Sequence, residues 1–400
     1  MKEVFVIDAQ RTPVGKYGGS LSSVRPDDMA AFVIKKIIER NSGIDLQQIE
    51  DVVFGAANQA GEDNRDVARM ALLLAGLPVH IGGVTVNRLC ASGLQAIMDA
   101  SKGIMCGHGN IYLAGGVESM SRAPFVMAKA EEAFGRRPEI YDTTIGWRFT
   151  NKKLAALYYP YSMGETAENV AQQWKISRTQ QDEYAFASQE KFFKAQELNK
   201  FVDEIAPYPV EGKKGIITSF NTDEHPRKTS IEDLAKLKPA FSSEGTVTAG
   251  NSSGINDGAA CLLLANSESV DRYKLKPMAK IVSFAIAGVE PKFMGIGPVP
   301  ATEKALQRAN LKVNDLDLIE LNEAFASQTL ACIRDLKLDI EKVNVNGGSI
   351  AIGHPLGCSG ARISTTLLYE MKKRGSKYGL ATMCIGVGQG AAIIFENLQR

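Results

Sequence analysis

Four short segments of this chain carry side chains able to act on a carbonyl, and each lies where a strand-like run ends. In VNRLCASG, Val86 to Gly93, a cysteine stands between an expected strand and an expected helix. A thiol at a helix start feels the partial positive charge of unpaired N–H groups, which lowers its pKa and raises its thiolate fraction. Cys90 is therefore a candidate nucleophile, with a buried, inert thiol as the alternative. In NGGSIAIGHPLGCSGAR, Asn346 to Arg362, His354 lies among Gly347, Gly348, Gly353 and Gly357, in backbone free to bend and to approach a ligand closely. It is one of four histidines in the chain and reads either as a base or as a solvated loop side chain.

CIGVGQG, Cys384 to Gly390, offers a second thiol together with backbone N–H groups at Gly386, Gly388 and Gly390 as oxyanion donors. LNEAF, Leu321 to Phe325, offers Asn322, suited to holding a water, polarising a carbonyl or capping the following helix. All four segments fall at the carboxyl ends of expected strands, where open α/β sheets place their sites. Neither GxxxxGK[ST] nor a strand–GxGxxG–helix order occurs, so none of these glycine turns reads as a phosphate loop.

The elements that must position these groups alternate between strand-like and helical patterns in two regions, the signature of an α/β sheet. The first carries expected strands at 3–8, 51–54, 83–87 and 110–115, separated by expected helices at 28–40, 66–75 and 92–105. The second repeats that order, with strands at 281–287, 316–321, 342–346, 380–384 and 391–396 and helices at 302–309, 324–336 and 361–373. IDLQQIEDVVFGAAN (44–58) parallels LKVNDLDLIELNEAF (311–325), and IYLAGGVESM (111–120) parallels LATMCIGVGQG (380–390), so the halves read as copies. Between them, both tryptophans, Trp147 and Trp174, and six of eleven tyrosines cluster, and a Gly- and Pro-free helix is expected over 179–200 with Ser177 as its N-cap. This stretch reads as an inserted unit covering a site.

Four hundred residues exceed the usual limit of one hydrophobic core, and 44% apolar with 23% charged residues describes an ordinary globular chain. Forty-six basic residues nearly balance forty-five acidic ones, so no global field draws it to nucleic acid or to an anionic membrane, and neither partner is expected. The amino terminus resembles no signal or transit peptide, the carboxyl end carries no peroxisomal or lipidation signal, and a cytoplasmic setting is expected. Six cysteines, at 90, 106, 261, 332, 358 and 384, form no CxxC pair, which disfavours zinc knuckles and disulfide scaffolds.

Taken together and in order, VNRLCASG, GVESMSRAPF, TAGNSSGINDGAA, LNEAFA, NGGSIAIGHPLGCSGAR and CIGVGQG resemble the thiolase pattern along the whole chain. The resemblance implies a five-layer αβαβα fold of two duplicated halves with an inserted loop domain. Residues 1–120, completed by about 250–275, would form the first half, 121–250 the loop domain over the coenzyme A site, and 276–400 the second half. It implies Cys90 as the acylated nucleophile, His354 as its base and Cys384 as the acid/base at the substrate carbon or second thiol. Asn322 would fix a water, and the N–H groups of Cys90 and Gly386 would hold the acyl oxyanion. Met163, Arg227, Ser253 and Phe325 match positions lining the coenzyme A channel. No metal or other cofactor is implied, coenzyme A being a substrate, and a homodimer or homotetramer is expected.

ANQAGEDNRDVARM (57–70) and DTTIGWRF (142–149) look particularly like thiolases of aromatic-compound breakdown that act on 3-oxoadipyl-CoA, with acetoacetyl-CoA or other 3-ketoacyl-CoA as alternatives. A dicarboxylic chain needs a cation near its far end, for which Arg148 and Arg65 are candidates unless they serve ordinary ion pairs. A decarboxylating condensing enzyme, which would use a Cys-His-His or Cys-His-Asn set, fits less well because of Cys384. A non-catalytic, lipid-binding relative fits less well because Cys90, His354 and Cys384 are all present.

Overall fold

The computed structural model describes residues 2–130, 132–212 and 215–399. Its main strands are β1 (Phe5–Arg11), β2 (Ile49–Gly55), β3 (Gly82–Val86), β4 (Ile111–Ser119), β5 (Asn256–Ala265), β6 (Ala279–Gly288), β7 (Leu318–Leu321), β8 (Tyr378–Ile385) and β9 (Gln389–Asn397). The helices that matter most to the site are α1 (Pro26–Arg40), α2 (Val67–Leu74), α3 (Ser92–Cys106), α4 (Met163–Gln173), α5 (Arg178–Glu197), α6 (Pro298–Ala309), α7 (Ala326–Leu336) and α8 (Leu356–Arg374).

The strands form one sheet in the order β7-β8-β9-β6-β1-β5-β4-β2-β3, with the two-residue strand Gly15–Lys16 added beside β5. Its two halves have one topology. From its outer edge the first half reads β3, β2, β4, β5, β1, with β3, β2 and β4 parallel and the rest antiparallel. The second reads β7, β8, β9, β6, with β7 and β8 parallel and the rest antiparallel. A lone parallel bridge from Ile319 to Val343 stands where the first half has β3. The halves join antiparallel at Phe5–Lys280 and Val6–Ala279.

The expected strand over 342–346 is therefore reduced to that single bridge. The side chain of Asn344 explains why: its Oδ1 accepts the Leu321 N–H at 2.9 Å, and its Nδ2 donates to the Leu321 carbonyl at 2.8 Å. An amide side chain thus takes two bonds that a strand backbone would have made along β7. Conversely, β5 is buried from end to end although no strand is expected there; its small residues Gly258, Ala259 and Ala260 carry little apolar signal.

Five layers result. Helices α1 and α2 cover the outer face of the first half through Ile34, Ile37 and Leu72 against Val52 and Phe54. Helices α6 and α7 do the same for the second through Ala301, Ala305 and Ile333. Between the two halves of the sheet lie α3 and α8, side by side in one core with residues of both halves, including Leu94, Ile97, Leu367, Leu262 and Ile393. The two central helices approach through glycines: a Cβ on Gly93 would stand 2.8 Å from the Gly357 carbonyl oxygen, and one on Gly360 2.2 Å from the Leu94 nitrogen.

Residues 121–250 contribute no strand to the main sheet among those described, and carry two hairpin-like pairs, Phe125–Met127 with Ile140–Asp142 and Tyr208–Glu211 with Ile217–Phe220. Ser177 caps α5 in a reciprocal box with Gln180. The buried Arg11 of β1 ties this stretch to the core through Glu204 at 2.7 Å and Asp223 at 2.7 and 2.9 Å. Among the described residues no helix is long and apolar enough to cross a membrane.

Candidate active site

Duplication explains how remote residues meet. Cys90 lies in the loop after β3 and before α3, and His354 in the equivalent loop of the second half, before α8. Because α3 and α8 cross near their amino ends, the two loops are brought to one place; Leu356, two residues after His354, lines the same cavity as Cys90. Parallel pairing of Leu321 with Thr382 then sets Asn322 beside the end of β8, which carries Cys384.

The Cys90 turn is tightly held. Leu89 has a left-handed backbone, φ 48°, its N–H bonded to Asn87 Oδ1 at 2.8 Å. Ser92 Oγ accepts the Arg88 N–H at 2.9 Å and donates to the Leu89 carbonyl at 2.6 Å. The sulfur of Cys90, a residue intermediate in exposure as a whole, receives the N–H groups of Gly386 and of Cys90 itself. Its pKa nevertheless moves opposite to the expectation from the helix start: burial outweighs those two donors and pushes the thiol up to about 11. The resting group is a neutral thiol in need of a base. Gly386 supplies its N–H at the sulfur as expected; Gly390 is instead paired in the sheet with Ala287 and Cys384, and the Gly388 carbonyl accepts the Val289 N–H.

His354 is buried and held through its backbone N–H and its ring. Its backbone N–H donates to Asn256 Oδ1 at 2.9 Å, across Gly353, whose φ of 112° and contact with the Asn256 amide admit no side chain. Nδ1 lies 2.6 Å from Ser359 Oγ, and the Ser359 hydroxyl hydrogen goes to the Pro355 carbonyl at 2.8 Å. Ser359 must therefore accept at Nδ1, which places the proton there and leaves Nε2 bare. Asn322 Nδ2 stands 3.5 Å from that Nε2, while its Oδ1 accepts from Ser349 Oγ at 2.6 Å, which in turn accepts from Arg362 Nη2 at 2.8 Å. The amide's orientation is thus fixed. Burial, then the Arg362 charge, pushes the imidazole pKa down to about 3. Phe325, not Asn322, occupies the N-cap of α7, so Asn322 is free of the capping role the sequence allowed.

Cys384 is buried, packed with Met163, Phe325, Met294 and Ala167, and its pKa is raised by burial and then by the Cys90 sulfur, which places the two thiols within electrostatic reach. It is the penultimate residue of β8; the penultimate residue of β4, the equivalent strand of the first half, is Glu118, which lines the Cys90 cavity. Glu118 accepts the N–H groups of Ala57, Asn58 and Gly357 at 2.9, 3.1 and 2.7 Å, and burial raises its pKa to about 7.

The cavity over Cys90 measures about 360 Å³ and is walled by Leu89, Glu118, Met163, Gly386 and the 143–148 segment, including Trp147 and Arg148. Met163, first residue of α4, lies against Gly386, and Phe325 stacks edge-on with Phe241 at 6.2 Å. Arg227 and Ser253 stand outside this cavity. Arg227 is exposed, with Nη2 on the Ala249 carbonyl at 3.1 Å, and the Ser253 N–H donates to the Ala324 carbonyl at 3.0 Å, joining its loop to the Asn322 segment. Of the two cations weighed for a distal carboxylate, Arg148 lines the cavity and Arg65 is exposed outside it. Glu118, Ser349, Ser359 and Arg362 are site-forming residues that sequence reasoning left without a role. Among the described residues no group of three or more His, Cys, Asp or Glu is arranged to hold a metal ion.

A glycine-crossed pair of central helices, duplicated half-sheets, two thiols within electrostatic reach of each other and a buried imidazole just before the second central helix define a class. The chain belongs to the thiolase family: the family's N-terminal domain matches residues 4–268 and its C-terminal domain residues 275–397. It is 56% identical to the beta-ketoadipyl-CoA thiolase of Pseudomonas aeruginosa, over 99% of this chain and all of that protein. It is 53% identical, over the full length of both, to the 3-oxoadipyl-CoA/3-oxo-5,6-dehydrosuberyl-CoA thiolase of Escherichia coli strain K12. Among solved structures it is similar to the Bacillus anthracis acetyl-CoA acetyltransferase, with a TM-score of 0.94 and 41% identity, covering 100% of this chain and 99% of that one. The human mitochondrial 3-ketoacyl-CoA thiolase in complex with CoA gives a TM-score of 0.92 and 40% identity, covering 99% and 98%.

Proposed function

We propose that the chain is a thiolase whose favoured substrate is 3-oxoadipyl-CoA, cleaved with coenzyme A into acetyl-CoA and succinyl-CoA or formed in the reverse condensation. The observation that carries the chemistry is the crossing of the two central helices, which sets the loop of the neutral Cys90 thiol, flanked by the N–H groups of Cys90 and Gly386, against the loop of His354, a buried imidazole with a bare Nε2. In the cleavage direction His354 takes the Cys90 proton as sulfur attacks the 3-keto carbon. The oxyanion settles between the Cys90 and Gly386 N–H groups. The C2–C3 bond then breaks, its electron pair passing to the acetyl-CoA enolate. His354 and an Asn322-held water stabilise the enolate oxygen, and Cys384 protonates the carbon. Coenzyme A releases the acyl group from Cys90, its thiol proton taken by Cys384.

The substrate follows from the relatives that match end to end, named for 3-oxoadipyl-CoA and for a dehydrosuberyl homologue, both chains ending in a carboxylate. Residues 121–250 act as the loop domain over the coenzyme A site, between a first half of 1–120 completed by about 250–275 and a second half of 276–400. Met163 and Phe325 line the inner channel, Arg227 and Ser253 its outer part. The protein works as a homodimer or homotetramer in the cytoplasm, without a cofactor beyond its coenzyme A substrate. Steady-state thiolysis of 3-oxoadipyl-CoA against acetoacetyl-CoA tests the reading: kcat/KM should favour 3-oxoadipyl-CoA at least tenfold. Equal or reversed values assign the enzyme to short-chain acetoacetyl chemistry.

A further inference from the structure

We propose that Arg148 is the residue that selects dicarboxylic acyl chains, by gripping the carboxylate at the far end of the substrate; this rests on the substrate reading above. Three observations meet at this side chain. It lines the cavity that opens onto Cys90, and it is the one Lys or Arg among the described residues of that lining. It is half-buried, yet has no hydrogen bond, ion pair or ring contact to any described residue. The same cavity is lined by Met120, Ala123, Ile145 and Trp147, so Arg148 offers an unpartnered guanidinium in a wall that is otherwise largely apolar.

The other charged group of the cavity cannot take the carboxylate's place as partner. Glu118 is an acceptor whose two oxygens already hold three backbone N–H groups, so it repels or ignores an incoming anion. A carboxylate carried three carbon–carbon bonds beyond the attacked keto carbon therefore has a single cation to meet within the cavity. The planar guanidinium fork matches it in two parallel hydrogen bonds, which a neutral methyl end cannot form. Arg148 is thus a specificity residue, remote from the bonds that change. Its contact is present in substrate, transition state and acyl enzyme alike, so its loss appears mainly in KM.

The test compares kcat/KM for 3-oxoadipyl-CoA and for 3-oxohexanoyl-CoA, which has the same chain length and a methyl in place of the carboxylate, in the wild type and in Arg148→Met and Arg148→Lys. The wild type should prefer the dicarboxylic substrate, Arg148→Met should reduce that preference by roughly 100-fold through KM, and Arg148→Lys should keep part of it. Because each ratio is taken within one preparation, partial misfolding cancels. A wild-type ratio retained in Arg148→Met overturns the proposal. So does a parallel fall for both substrates with a raised KM for free coenzyme A, which would give Arg148 to the coenzyme A phosphates. A wild type that does not favour 3-oxoadipyl-CoA over acetoacetyl-CoA overturns the substrate reading itself, and this inference with it.

Discussion

The Ser359 hydroxyl lies 2.6 Å from His354 Nδ1 and gives its own hydrogen to the Pro355 carbonyl at 2.8 Å, so the serine, together with the Asn322 amide facing Nε2, sets which imidazole nitrogen is basic. Ser359→Ala removes that acceptor and frees the ring to carry its proton on Nε2, where a base is needed. We expect kcat to fall about 10- to 100-fold, the usual effect of losing a group that orients a working histidine. KM should change little, and Ser359→Thr should recover most of the rate. Steady-state thiolysis of the two variants decides it; an unaffected kcat in Ser359→Ala would leave the tautomer without a catalytic role.

The proposed reaction gives the two thiols separate duties. Cys90→Ala should abolish acyl transfer, with the burst of free thiol on mixing with acyl-CoA lost entirely. Cys384→Ala should lower thiolysis by at least about 100-fold and slow exchange of the acetyl-CoA methyl protons with deuterated water, while still allowing acylation of Cys90 by activated thioesters. Near wild-type thiolysis in Cys384→Ala would remove Cys384 from the proton-transfer role.

Burial holds the resting pair neutral at pH 7, with Cys90 up at about 11 and His354 down at about 3. Alkylation of Cys90 by iodoacetamide should therefore rise by about tenfold per pH unit from 7 to 9, following the thiolate fraction, without levelling. A plateau below pH 8 would mean a preformed thiolate–imidazolium pair.

Glu118 and Asp63 give the fold a pH dependence of known sign. Both carboxyls are raised to about 7, burial being the larger cause, with Glu118 adding to the effect on Asp63. Each folded pKa lies above its unfolded value, so their contribution is full below pH 4 and is lost as pH rises towards 7, by a few kcal/mol at most. His354 has the opposite sign: its folded pKa is depressed, and its contribution is lost as pH falls from 6.5 towards 3. Denaturant titrations between pH 4.5 and 7 should show a smaller loss of stability with rising pH in Glu118→Gln than in the wild type. An identical slope in both would show that Glu118 is not protonated in that range.

Much of this was legible because the chemistry sits in short glycine-bearing turns after apolar strands, and the repeated order of strands and helices made the two halves visible. Cys90, His354, Cys384 and Asn322 stand out by residue type at strand ends. Ser359 and Ser349 do not, since a hydroxyl at a helix start or within a helix looks like any other until its partners are known. Glu118 falls just past the expected strand 110–115; only folding shows it buried under three N–H donors. The sign of the Cys90 shift was also hidden, because the helix start is a local feature and burial a tertiary one. Asn344 misled for a related reason, its amide side chain replacing the strand hydrogen bonds that its neighbours' apolar character promised.

Everything in the proposed reaction passes through acyl-Cys90. Mass spectrometry of protein quenched after mixing with 3-oxoadipyl-CoA, without free coenzyme A, measures this directly. A succinyl group on the peptide containing Cys90, discharged when coenzyme A is added, is the predicted result. A succinyl group on Cys384 or another residue, or acetyl-CoA released with no adduct on the protein, would contradict it.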